Sequence, residues 1–280
     1  MTDPDLSSAT QPSQSTVYPA YMRLQAIRAR RFPVAADDGL AGLLLTCVGF
    51  GLQGAQLALA ALISGGTFLG IDPSAENLKA AVRNGSCDFM VNTLDESLRV
   101  LKNELRKKKA LSVGLLGEAA AILPAMVERG VQPDLIAELR ASDSESARLG
   151  QPALNTLIEH GAVRIDNEAA SDSLDGGLFE VIWTAASLPD LRRMDELALQ
   201  LLPADDSIRR RWLQHAPGYF HRQRPLQRIL GMHAEEVPRL AEAFKNAVAA
   251  GEIQSPATVA WLTADGLEET MVLKSLPRTS

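Results

Sequence analysis

The sequence predicts an α/β protein with a doubly wound parallel sheet and a smaller α/β C-terminal part. Three observations lead there. Short apolar runs bounded by glycine, Leu43–Val48, Thr67–Ile71 and Leu111–Leu116, have the length and composition of fully buried strands. Helical stretches alternate with them, which calls for parallel pairing. Finally, Leu40–Ile71 carries no charged residue, as a buried strand, turn, helix and second strand would require. A run above about 18 apolar residues also raises a membrane helix. Seven glycines, two glutamines and the Gly65-Gly66 break argue for the sheet reading instead.

The elements follow in order. Residues 1–17 are rich in Ser, Thr, Gln and Pro, without the basic-then-apolar pattern of a secretion signal, and read as a disordered tail. In 18–38, Arg23, Arg28, Arg30 and Arg31 interleave with Tyr21, Met22, Leu24 and Ile27. That pattern gives an amphipathic helix and linker whose basic side is a solvated flank or, less simply, a docking face. Residues 39–140 form the main domain. Its first strand is followed by the turn Gly49-Phe50-Gly51-Leu52-Gln53-Gly54 and a helix over Ala55–Ser64. A second strand ends at Asp72, which with Pro73 is read as the cap and first turn of a helix closing at Asn84-Gly85. Asp88–Val91 is extended. Thr93 to Glu96 fits a capping box, and Arg106–Lys109 suits a helix C-terminus. Strand Leu111–Leu116, helix Glu118–Arg129 with Pro124 inside it, and strand Pro133–Ala137 complete the domain. Residues 141–280 are a second α/β part, with helices over Ser144–His160, Pro189–Leu202 and Ala234–Ala250. Its strands are Ala162–Ile165, Leu178–Trp183, Leu226–Leu230 and Thr258–Leu262.

Composition narrows the function classes. The net charge is 28 − 34 = −6, whereas phosphate-backbone binding needs a basic face, so nucleic acid is not an expected partner. Cys47 and Cys87 are too few for a disulfide framework or a Cys-rich metal site, and both read as reduced core thiols. A cytoplasmic protein with no metal and no membrane is expected. A small-molecule ligand and homo-oligomerisation both stay open as partners.

The glycine turn carries the chemistry. Gly49, Gly51 and Gly54 form G-x-G-x-x-G between a strand and a helix. In that setting the first glycine permits the tight turn and the second lets backbone approach a pyrophosphate. The third packs helix on strand, leaving the helix N-terminus facing the anion. Asp72 lies 18 residues after Gly54 at the end of the second strand, where an acid hydrogen-bonds ribose and repels a 2′-phosphate. The pattern therefore points to a Rossmann-like domain binding NAD rather than NADP. The plainer account makes the glycines a structural turn and Asp72 a helix cap. Among the histidines, His215 and His221 lie among Arg209–Arg211, Arg222 and Arg224. They could serve an anion or a proton transfer, but an exposed basic loop is the simpler account, and their spacing matches no metal motif. His160 closes a helix.

These residues resemble the urocanase (urocanate hydratase) family. The likeness runs through Leu43–Thr46, Gly54-Ala55-Gln56, Gly65–Leu69, Leu94–Leu98, Leu111–Gly117, Leu123-Pro124 and Pro133-Asp134. It continues more weakly through Leu139–Asp143, Gly161–Val163, Asp195-Glu196 and Ala247–Ile253. The resemblance implies a Rossmann-like domain holding NAD⁺ as an electrophile toward urocanate, with water added and no net redox. It carries Gly49, Gly51, Gly54, Gln56 and Asp72 over as cofactor-binding positions. The chain departs from the family where Glu118 stands in place of an asparagine. Ala137–Arg140 lacks the Gln-Thr-Ser-Ala-His-Asp stretch, Asn167–Ala170 replaces Asn-Asn-Ile-Arg, and Ala260-Trp261-Leu262 replaces Arg-Asp-His. No active-site cysteine segment precedes Phe179. Expected from this is an NAD-binding family member without urocanate hydratase activity, either a binding or regulatory protein or one acting on another small ligand. The alternative is a divergent hydratase of histidine degradation that rebuilds its site with His215, His221 or Arg228.

Overall fold

Leu44–Val48 (β1) is buried along its whole length and lies between two parallel neighbours, Thr67–Asp72 (β2) and Leu135–Glu138 (β5). A computed structural model describes this strand and the rest of residues 11–33, 39–139, 145–165, 178–254, 256–262 and 268–273. The chain divides into two compact units, Met1–Ala170 and Ser171–Ser280.

The first unit is built on a six-stranded parallel sheet. Phe89–Val91 (β3), Leu111–Leu116 (β4) and Val163–Ile165 (β6) join the strands above in the order β3-β4-β2-β1-β5-β6. Helices cover both faces. On one side Leu94–Arg106 (α4), Ala119–Glu128 (α5) and Glu145–Glu159 (α6) bury Leu98, Leu123 and Leu154 against Leu69, Val113 and Ile136. On the other lie Leu52–Ile63 (α2) and Ala75–Arg83 (α3), which place Ala58, Leu78 and Ala81 in the core. The N-terminal helix Gln14–Arg31 (α1) packs against α2 through Val17, Tyr21 and Leu24, and Gln25 Nε2 donates to Ser64 Oγ at 2.8 Å. The fold is the expected doubly wound parallel sheet. Among the described residues no helix is long and apolar enough to cross a membrane.

Several expectations shift in detail. Helix α1 starts at Gln14, not at 18, because its buried stripe already runs through Gln14 and Val17. Residues 1–10 and 34–38 lie outside the described part. Asp72 does not cap α3: Ser74 does, accepting from the Asn77 N–H at 3.3 Å. The expected Thr93–Glu96 capping box is present at α4. The expected boundary at residue 140 falls inside the first unit. Strand β6 extends the parallel sheet, and Ala153, Leu154 and Leu157 of α6 belong to the same core.

The second unit is an antiparallel sheet in the order β10-β9-β7-β8. Its strands are Leu178–Ala185 (β7), Gln227–His233 (β8), Ala257–Leu262 (β9) and Glu268–Leu273 (β10). Leu188–Leu201 (α7), Ser207–Phe220 (α8) and Glu236–Ala249 (α9) accompany it. Helix α8 and strand β10 had no counterpart in the sequence reading. Trp183 and Phe244 meet at 5.8 Å between ring centroids in this core.

Candidate functional site

The first unit has its topological switch point beside β1, from which the chain passes to β2 on one side and returns to β5 on the other. In open α/β sheets ligands settle in the crevice beyond the strand ends at such a point. The glycine turn lies there. Gly49 has φ +97, a conformation that side-chain-bearing residues rarely adopt, and its N–H donates to Ile71 O at 2.8 Å. Gly54 packs so closely that a Cβ there would stand 2.3 Å from Gly49 O. Gly51, the N-cap of α2, differs from both: its φ is −70, and a Cβ would meet nothing within 4 Å.

Phe50 turns inward. It is 1% exposed, lies 5.3 Å from the Phe68 ring, and covers Gly70, where a Cβ would stand 2.1 Å from the Phe50 ring. The bulky residue within the motif is thus a core residue beneath the turn, and Gly70 makes the room for it. Its backbone N–H donates to Asp72 Oδ2 at 2.6 Å. Asp72 Oδ1 accepts from Ser74 N–H at 2.8 Å, and the Asn77 side-chain amide spans the two oxygens at 3.3 and 3.2 Å. A carboxylate offers about four acceptor positions, and the chain's own donors take them. Asp72, 4% exposed, therefore ties the glycine turn to the end of β2. A ribose reaching it would displace Asn77, the longest-bonded of the three donors and an exposed side chain.

Cavities flank the turn. One of about 260 Å³ is bounded by Phe50, Gly51 and Ala55 on one side and by Asn77 and Asn84 on the other. Another, of about 220 Å³, lies between α1 and α2, lined by Arg23, Gln53 and Gln56 with Leu139 and Ile165 from the ends of the β5 and β6 region. The structure thus brings Gly49, Gly51, Gly54 and Asp72 into one cluster, and sets Gln56 on the other flank of α2. Sequence reasoning missed Ser74 and Asn77. A side-chain donor five positions after the acid has no motif to announce it.

Other candidates resolve differently. Glu118 is the exposed N-cap of α5, next to Gly117, whose N–H donates to Asp72 O at 3.1 Å. Cys47 and Cys87 are free and buried, and burial pushes both thiols up, Cys87 to about 11. His215 is exposed on α8, and partial desolvation of its ring, with the neighbouring Arg211, lowers its pKa. His221 is exposed with Nδ1 2.8 Å from Gly218 O, and His160 is exposed at the end of α6. Arg228 is 2% exposed and bonded to Asp195 from Nε and, at 2.7 Å, from Nη2. Asp195 also accepts from Trp183 Nε1 at 3.1 Å. Burial raises the Asp195 pKa and Arg228 opposes that shift, so the pair is a core ion pair. Among the described residues no group of His, Cys, Asp or Glu could hold a metal ion. Asn167–Ala170 lies outside the described residues.

The family comparison agrees with this architecture in both units. Residues 13–147 match the model of the urocanase Rossmann-like domain, a fold consistent with dinucleotide binding, and residues 172–272 match that of the urocanase C-terminal domain. The chain belongs to the urocanase family.

Proposed function

We propose that the chain binds NAD⁺ at the glycine turn and does not hydrate urocanate. Gly51 carries the first half of this reading. Gly49 and Gly54 are glycine for reasons internal to the fold, one by its φ and the other by its contact with backbone. Gly51 has neither reason. Its missing side chain leaves open space at the N-terminus of a twelve-residue helix, where backbone N–H groups and the helix dipole favour a phosphate. The cavities on both sides of the turn offer room for the rest of a dinucleotide. NAD⁺, when bound, supplies an electrophile, as the family resemblance implies. The chain's part is to hold the pyrophosphate on the first turn of α2 and to keep that turn in place through Asp72. The negative charge of Asp72 disfavours the 2′-phosphate of NADP⁺.

The second half rests on the departures from the family pattern. Positioning can be worth roughly 7–11 kcal/mol of a barrier, and placed acid–base groups about 10²–10⁴-fold more. Ala260-Trp261-Leu262 offers no such group where the family has Arg-Asp-His. Arg228, a candidate replacement, is consumed by Asp195. Calorimetry with NAD⁺ and NADP⁺ tests the binding reading, with Gly51→Val as control. Wild type binds NAD⁺ more tightly, and the variant folds but binds neither. Equal affinities, or full binding by the variant, refute it. Loss of urocanate's ultraviolet absorption with NAD⁺ present tests the activity reading. Turnover on the order of 1 s⁻¹ or faster overturns it.

A further inference from the structure

A further cavity lies in the second unit and belongs to no motif. Its volume is about 550 Å³, within the range of small-molecule sites of roughly 300–1,000 Å³. Phe179, Trp261 and Met271 of the sheet form one wall, and Val237 and Ala241 of α9 form the other. Three charged side chains also line it. Lys245 and Glu242 answer each other at 3.7 Å across one turn of α9. Glu269 stands directly opposite Trp261 in the β9–β10 register and has no hydrogen-bond or ion-pair partner among the described residues. The lining therefore carries one uncompensated negative charge beside an indole face.

We propose that this cavity binds a small organic cation with an apolar body, an aromatic or alkyl amine or quaternary ammonium. Its apolar part would lie against Phe179, Met271 and Val237, and its charge between Trp261 and Glu269. A cation over an aromatic face gains electrostatic attraction, strongest for tryptophan and for partly desolvated sites. The Glu242–Lys245 pair gives no net attraction of either sign, so an anion meets Glu269 unopposed. The inference is independent of nucleotide binding, since every residue in it belongs to the second unit.

The test titrates the full chain with benzyltrimethylammonium chloride, with benzyl alcohol and benzoate as neutral and anionic counterparts. Tryptophan fluorescence reads the site directly, because Trp183 and Trp212 are 0% exposed and Trp261 is not buried. Saturable quenching by the cation is expected, at an affinity about fivefold or more above that of benzyl alcohol. Glu269→Gln, on an exposed edge strand, should bring the cation to the level of the alcohol while leaving the alcohol unchanged. Trp261→Leu should remove the quenching and weaken binding measured by calorimetry. The proposal is overturned if no titration saturates, if benzyl alcohol or benzoate binds as well as the cation, or if Glu269→Gln leaves cation affinity unchanged.

Discussion

Replacing Asp72 by alanine removes the tie between the glycine turn and β2, and the cost can be worked from its bonds. Ser74 N–H is half-buried and the Asn77 amide is exposed, so both can turn to water. Phe50 N–H cannot, because Phe50 is 1% exposed and its 2.6 Å bond to the carboxylate is buried. A hydrogen bond to a charged group contributes about 1.5–3 kcal/mol, and an orphaned buried donor costs a similar amount. The expected loss is therefore about 2–3 kcal/mol, a sizeable part of a domain stability of roughly 5–15 kcal/mol. At about 2–4 °C per kcal/mol for a unit of this size, the melting temperature falls by about 5–10 °C. The measurement is thermal and urea unfolding without nucleotide. All three tryptophans, Trp183, Trp212 and Trp261, lie in the second unit. Circular dichroism should therefore show the shift, and tryptophan fluorescence serves as an internal reference. A nucleotide-free Asp72→Ala transition within about 0.5 kcal/mol of wild type, the range of an uninvolved surface substitution, would falsify the tie. The acid would then act only on a ligand.

Three further outcomes are expected. Gly54→Ala, whose Cβ would meet Gly49 O at 2.3 Å, should destabilise by about 1–3 kcal/mol or more, whereas Gly51→Ser, in open space and a better N-cap than glycine, should melt with or above wild type; equal destabilisation of the two variants would contradict the division of roles in the turn. The folded pKa of Cys87 is raised to about 11 from an ordinary value of 9.0, and that of Cys47 is raised as well. Their contribution is thus complete below pH 9 and lost as pH rises toward 11 and beyond; the Cys47→Ala, Cys87→Ala double variant should show a shallower alkaline decline in urea midpoint, and an identical decline refutes the assignment. Arg228→Met strands the Asp195 carboxylate in the core at a cost of about 3–5 kcal/mol. Acid protonates that carboxylate, so the deficit against wild type should shrink as pH falls, and a pH-independent deficit would point to packing alone.

The first unit was legible because its central strands, β1 and β2, are buried on both faces and read as apolar runs beside glycines. The glycines between Leu44–Val48 and Thr67–Asp72 separate these strands from the membrane-helix alternative. The start of α1 was not, since the buried stripe begins with a glutamine, Gln14, and the helix takes Pro19 inside it. The second unit hid two elements for different reasons. Helix α8 contains Arg209–Arg211 and Pro217-Gly218, a composition that reads as a basic loop. Its burial of Trp212, Leu213 and Phe220 emerges only in the fold. Strand β10 is an edge strand that opens with Glu268-Glu269 and leaves Val272 51% exposed, so its alternation is too weak to stand out. The bonds of Asp72 were out of reach for another reason. A backbone N–H 22 positions away looks the same in every residue but proline.

That limit also decides how much a glycine motif can say about function. Gly49 is accounted for by its backbone conformation, Gly54 by the carbonyl above it, Phe50 by the space over Gly70, and Asp72 by the donors it gathers. Each of these would be kept by a chain that bound nothing, because each has work to do within the fold. A turn that only joined a strand to a helix could carry serine at position 51, which has room for a side chain and would cap α2 better than glycine does. The weight of the motif as a sign of a ligand therefore falls on Gly51, the position whose emptiness the fold does not use.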